Sequence, residues 1–217
     1  LKQERGTSDL VAIGDRVRWS PTEGEFGIIE QVLPRKSGLS RCPPPPRAPV
    51  EQVIVANPDQ ALVVFAVRQP EPNPLMLDRY LVACEAAKLP VILVANKADL
   101  LKKRRDTFDS YRQIGYTVCY VSAHTGEGIE PLRDLLRGKL SVLTGPSGVG
   151  KSSLLNALWP DLDLEVGEIS DATDRGRHTT VVAQLLNPEP DIYVADTPGL
   201  RQFRFWDVDP EQLDAFF

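Results

Sequence analysis

Histidine is nearly missing from this chain, cysteine is scarce, and no apolar run is long. The 217 residues include two histidines, His124 and His178, and three cysteines, Cys42, Cys84 and Cys119. Three cysteines this widely separated make neither a disulfide framework nor a zinc-type spacing, and inert thiols are expected. Adding two histidines assembles no zinc cluster either. No stretch of about 18 apolar residues occurs, so no membrane-spanning helix and no membrane partner are expected. The opening Leu1-Lys2-Gln3-Glu4-Arg5-Gly6 does not read as a signal peptide, which points to a soluble intracellular protein. A strong charge of one sign is also lacking. The net charge of −5 argues against a protein that coats nucleic acid over its whole surface. The distribution is uneven: residues 1–50 carry +2 and residues 51–217 carry −7. If RNA is a partner, the N-terminal segment is the better candidate surface.

What is present divides the chain in two. A hydrophobic content of 42% supports a real core in one or two domains. Residues 11–33 read as short strands, Val11 to Trp19 and Phe26 to Leu33, with a turn at Pro21-Thr22-Glu23-Gly24. This predicts a hairpin of a small antiparallel sheet or barrel, too few strands to close by itself. Residues 34–49 are expected to be a semi-rigid spacer, because four consecutive prolines, Pro43 to Pro46, remove backbone donors and favour extended geometry. From residue 50 to about 205 the pattern alternates strands with helices. Ala61–Val67, Val91–Ala95, Val118–Val121 and Leu140–Leu143 are short apolar runs suited to strands buried on both faces of a parallel sheet. Helices are expected near 74–88, 101–114 and 128–137 and from Lys151 onward, and two further strands near 180–187 and 191–195. The predicted fold is a doubly wound α/β nucleotide-binding domain after a partial all-β domain.

The chemistry rests on motifs at strand ends. Gly145-Pro146-Ser147-Gly148-Val149-Gly150-Lys151-Ser152 matches the phosphate-loop pattern, with a strand before it and a helix after it. Its glycines let backbone N–H groups turn toward phosphate oxygens, and the new helix adds its positive end. Lys151 is expected on the β- and γ-phosphates and the Ser152 hydroxyl on Mg²⁺; Ser153 completes the phosphate-binding set. Base choice is read from Asn96-Lys97-Ala98-Asp99, where the Asp99 carboxylate can accept from both N1–H and N2–H₂ of guanine. Adenine offers neither donor and would leave the carboxylate unpaired. Asn96 is expected to bridge base and loop, and the stem of Lys97 to cover the ring. Ser122-Ala123-His124 fits a second guanine loop, with the Ala123 N–H donating to the base O6 and His124 given no role. Asp196-Thr197-Pro198-Gly199 follows a strand. Asp196 fits a carboxylate holding Mg²⁺ through water, and the Gly199 N–H a γ-phosphate sensor. Within residues 165–180 one threonine should close on Mg²⁺, Thr180 being favoured over Thr179. The position after Asp-x-x-Gly is Leu200, which cannot orient a water, so His178 in that switch segment is the candidate catalytic group.

The guanine reader precedes the phosphate loop, the reverse of the usual order. With the second guanine loop, the threonine switch and Asp-Thr-Pro-Gly following in that sequence, the chain resembles circularly permuted GTPases. The N-terminal β segment, Gly176-Arg177-His178-Thr179-Thr180 and Ala56-Asn57-Pro58-Asp59-Gln60 resemble the RsgA (YjeQ/YloQ) family. The resemblance implies an OB-fold domain ahead of a circularly permuted, mostly parallel P-loop GTPase domain. It also implies GTP or GDP with Mg²⁺, and late maturation of the small ribosomal subunit with subunit-stimulated hydrolysis. The small subunit and its rRNA are then the expected partners of a monomer in a bacterial-type cytoplasm, an organellar origin being the alternative. The family also carries a C-terminal zinc domain, for which this chain offers no Cys/His cluster before Phe217. The competing reading is a nucleotide-gated RNA- or protein-binding module with incidental turnover. An ATPase or kinase would require ATP to compete equally with GTP.

Overall fold

The structure is a computed structural model, and it describes residues 11–22, 24, 26–41, 52–101, 107–165 and 184–197. Strands β1 (Val17–Pro21) and β2 (Gly27–Val32) form the expected antiparallel hairpin. Its turn is closed by the Thr22 N–H donating to Phe26 O at 3.0 Å. Gly27 leaves room for the Trp19 ring, which a Cβ there would approach to 2.5 Å. Strand β3 (Gly38–Arg41) pairs antiparallel with β4 (Gln52–Ala56). These four residues of β3 correct the expectation of a spacer throughout 34–49. A strand this short, with Leu39 as its one core residue, has no periodicity to read beside a proline run. The prolines themselves lie outside the described residues.

The rest of the chain builds one six-stranded sheet. Its strands are β5 (Gln60–Ala66), β6 (Val91–Asn96), β7 (Thr117–Tyr120), β8 (Leu140–Thr144), β9 (Gln184–Glu189) and β10 (Ile192–Asp196). They lie in the order β7-β6-β5-β8-β10-β9, parallel throughout except for β9 against β10. All seven residues of β5 are buried, the apolar run Ala61–Ala66 at the sheet centre together with Gln60 at its start. Between the strands run α1 (Pro74–Ala86), α2 (Thr107–Gln113), α3 (Ile129–Leu136) and α4 (Lys151–Leu158). Helix α1 starts at Pro74 behind Asn73, whose side chain accepts from the Met76 N–H at 3.2 Å. Two cores result. Phe65, Leu77, Leu93 and Phe108 lie in one, and Leu62, Leu132, Leu154 and Leu155 in the other. Because the neighbouring strands are parallel, Asn96, Tyr120, Thr144 and Asp196 all stand at carboxyl ends on one edge of the sheet.

The N-terminal strands are tied to the opposite edge. Ala56 N–H donates to Ile13 O at 2.7 Å, and the Asn57 amide donates to Gly14 O at 3.0 Å. Gly14 must be glycine here: its φ is +84°, and a Cβ would lie 2.1 Å from Ala56 O. The Asp15 carboxylate accepts from Nε and Nη2 of Arg35, each at 2.7 Å, and from the Ala12 N–H at 2.7 Å. The Arg35 hydrogen bond holds the Asp15 carboxyl below its ordinary value of 3.8, against the opposing effect of burial. A lowered folded-state pKa means this contribution is complete above that ordinary value and is lost as pH falls through the lowered one. Asp15→Ala should therefore cost about 1.5–3 kcal/mol in urea unfolding at pH 7, as expected for charged hydrogen bonds. The difference from the unsubstituted protein should shrink as the titration is repeated below pH of about 4.

Candidate nucleotide-binding site

Strand β8 ends at Thr144, and the chain then turns through Gly145–Gly150 into α4. Gly145 has φ of +144° and a Cβ there would sit 2.1 Å from Val64 O, on the neighbouring strand β5. Gly150 has φ of +89°, and its Cβ would lie 2.7 Å from the Asn96 amide nitrogen. Both positions exclude a side chain by close approach as well as by backbone conformation. Val149 anchors the loop from below, being 1% exposed in the second core. Lys151 reaches back so that its ammonium donates to Gly145 O and Pro146 O, each at 2.9 Å. Ser152 follows in the first turn of α4, half-buried.

The Asn-Lys-x-Asp segment leaves β6 beside this loop. Asn96 is 1% exposed, and its amide donates to Val149 O at 2.9 Å and to Gly150 O at 3.4 Å. Its carbonyl oxygen accepts the Ala123 N–H at 3.4 Å. This N–H, the one expected to donate to a base O6, stands beside the Asn96 side chain. Lys97 has a left-handed φ of +61°, and its ammonium donates to Gly148 O at 2.9 Å and to Gln69 O. Asp99 sits in a single 3₁₀ turn, where it accepts the Ser122 hydroxyl at 2.5 Å. Ser122 is fully buried, and its oxygen in turn accepts the Thr125 N–H at 3.1 Å. One oxygen of Asp99 is thereby fixed and the carboxylate held in orientation. His124 is exposed at the rim of this loop.

Asp196 closes β10, next to β8 in register with Leu143. Burial raises its carboxyl above the usual range, while the Lys151 ammonium acts in the opposite direction. Its Oδ1 is buried and has no hydrogen-bond partner among the described residues. A buried carboxylate oxygen without a donor suits a cation brought by a ligand. Thr197 is 4% exposed and donates its hydroxyl to Leu143 O at 2.9 Å, which pins the chain just past the strand. Among the described residues no group of three or more His, Cys, Asp or Glu is placed to hold a metal ion by itself. The donor set of one hydroxyl, Ser152, and one carboxylate, Asp196, fits a divalent cation only if phosphate oxygens supply the remaining ligands.

The structure thus brings together residues 145–153, Asn96, Lys97, Asp99, Ser122 and Ala123, and sets Asp196 near enough to feel Lys151. His178, Thr179, Thr180 and Gly199 lie outside the described residues. The contribution of Gln69 had no motif to announce it, since it acts through a backbone carbonyl.

A guanine reader delivered ahead of a phosphate loop on one parallel sheet defines the class, a circularly permuted P-loop GTPase. The family follows from comparison with known proteins. Residues 32–206 match the family model described as RsgA GTPase. The chain is 46% identical to the small ribosomal subunit biogenesis GTPase RsgA of Gemmatimonas aurantiaca, over all of this chain and 72% of that protein. It is 43% identical to the protein of the same name from Thermotoga petrophila, over 95% of this chain and 68% of that one. The crystal structure of YjeQ from Thermotoga maritima superposes with a TM-score of 0.70 at 36% identity, covering 95% of this chain and 67% of that one. YloQ, described as a circularly permuted GTPase, gives a TM-score of 0.66 at 30% identity, covering 99% of this chain and 66% of that one. The chain belongs to the RsgA GTPase family. The β1–β2 hairpin fits the OB-fold part expected ahead of the GTPase sheet. Among the described residues no helix is long and apolar enough to cross a membrane.

Gly150→Ala should force Asn96 away from the phosphate loop. Isothermal titration with GDP is expected to show at least about a tenfold loss of affinity, since the substitution adds a left-handed strain and breaks a buried hydrogen bond.

Proposed function

We propose that this chain binds and hydrolyses GTP as a switch in small ribosomal subunit biogenesis, the role named for its relatives in Gemmatimonas and Thermotoga. The observation that carries the reading is the double engagement of Asn96, whose amide holds Val149 and Gly150 while its oxygen faces Ala123. One residue thereby joins a base site to a phosphate site. Asp99, oriented by Ser122, would accept the two N–H groups of guanine, and the stem of Lys97 would cover the ring. The Ala123 N–H would exchange its long bond to Asn96 for the base O6.

Phosphates entering the loop would meet the backbone N–H groups around Gly148–Lys151 and the amino end of α4. The Lys151 ammonium would turn from the carbonyls of Gly145 and Pro146 to the β- and γ-phosphates, exchanging neutral acceptors for charged ones. Ser152 and Asp196, with Thr180 from the switch segment, would hold Mg²⁺, which offsets charge on the phosphates. Gly199 would sense the γ-phosphate through its N–H. With Leu200 unable to position water, His178 would accept a hydrogen bond from the attacking water in the step that the small subunit would accelerate. The +2 balance of residues 1–50 favours the N-terminal segment as the surface for rRNA, and the proposed setting is a monomer in a bacterial-type cytoplasm.

Multiple-turnover phosphate release with and without small ribosomal subunits tests this reading: acceleration by the subunit is expected, and no acceleration would contradict it. His178→Ala should abolish the stimulated rate while leaving GTP affinity within about threefold, as for a group that acts only in the reaction step. Asp99→Asn should lower GTP affinity by at least about tenfold, because the amide nitrogen no longer accepts from the base. Competition binding should show xanthosine triphosphate gaining on GTP, since its C2 oxygen accepts where guanine donates.

A further inference from the structure

The segment between β5 and α1, Val67 to Asn73, carries none of the motifs above, yet it touches the nucleotide site at two points. The Lys97 ammonium is shared between Gln69 O and Gly148 O, the latter at 2.9 Å. Pro70 lies over the same glycine, with its Cδ 3.9 Å from where a Gly148 Cβ would stand. Gln69 has φ of +54° and Lys97 φ of +61°, so both ends of this contact are non-glycine residues in the left-handed region. Such conformations cost energy and persist where the surrounding structure over-determines them. Here the left-handed turn at Gln69 accompanies a carbonyl aimed at the ammonium, and that at Lys97 a side chain laid along the phosphate loop.

We propose that the Val67–Asn73 segment sets the rate of nucleotide release, with Gln69 as a positioning residue that acts through Lys97. With the ammonium held at both carbonyls, the lysine stem is fixed across the mouth of the site, and Gly148 is held against it. When the Gln69 carbonyl turns away, the lysine keeps one partner, the stem swings, and the middle of the phosphate loop loosens with it. The base cover and the phosphate cradle therefore open together. This rests on the proposed placement of Lys97 over guanine.

Because the contact is made by a backbone oxygen, the test changes backbone preference and leaves the carbonyl in place. Valine is disfavoured at positive φ by its branched Cβ, whereas glycine adopts it freely. Stopped-flow release of a fluorescent N-methylanthraniloyl-GDP, chased with excess GDP, is expected to be at least about fivefold faster in Gln69→Val. Gln69→Gly should restore most of that difference. In a Lys97→Ala background the valine substitution should add less than about twofold, since the two residues act as one unit. An unchanged rate in Gln69→Val overturns the inference, as does the same acceleration with and without Lys97. Failure of the unsubstituted protein to bind the labelled GDP would contradict both this inference and the function proposed above.

Discussion

The carboxamide of Asn96 is the point on which the rest of the site depends. It is buried at the end of β6, two strands away from the strand that leads into the phosphate loop, and it crosses that distance with a hydrogen bond of 2.9 Å to Val149 O. A buried amide whose partners were missing would cost about 1–3 kcal/mol, so the loop and the strand end constrain one another. The neighbouring contacts add to the same constraint. Lys97 holds Gly148, Ala123 N–H reaches Asn96, and Gly150 has no room for a Cβ because the amide occupies it. The candidate base and phosphate segments are therefore linked to one another through Asn96.

This explains why the inverted motif order costs nothing in geometry. The residues that converge do so because parallel strands bring their carboxyl ends to one edge, whichever strand comes first in the chain. What permutation requires is a connection at the other edge, and the structure makes it in three residues. Arg137, Gly138 and Lys139 carry the chain from α3 into β8, with Gly138 at φ of +70°. The link is held to the start of β10, by the Gly138 N–H on Asp191 O at 3.0 Å and by the Tyr193 N–H on Lys139 O at 3.1 Å. Beside it, buried Gln60 donates to Leu135 O and Ser141 Oγ and accepts from Lys139. The N-terminal segment meets the sheet at this same edge, where Ala56 and Asn57 bond Ile13 and Gly14 and Asp59 bonds Leu140.

Much of the sheet was legible because buried parallel strands are continuous apolar runs, and β5, β6 and β8 are read from composition alone. The site was legible where function sits in side chains or in glycines: Asn96, Asp99, Gly145, Gly150 and Lys151 have no common structural substitute in that spacing. Strands β3 and β4 escaped because they are short and flank a proline run, and their pairing is a long-range fact that local pattern does not carry. Gln69 escaped for a different reason. Its contribution is a carbonyl and a φ angle, and any residue type has the first. The contact of the Ala123 N–H with the Asn96 side chain escaped as well, because it joins two loops that no local pattern connects.

The central claim is that Asn96 holds the phosphate loop in shape independently of guanine. Binding of inorganic tripolyphosphate with Mg²⁺, which has no base to read, isolates that effect when compared between the unsubstituted protein and Asn96→Ala. The account predicts that the substitution weakens tripolyphosphate binding at least about fivefold, because the loop loses a buried anchor. Equal tripolyphosphate affinity in the two proteins, with GDP binding alone impaired, would show that Asn96 serves only the base and would contradict it.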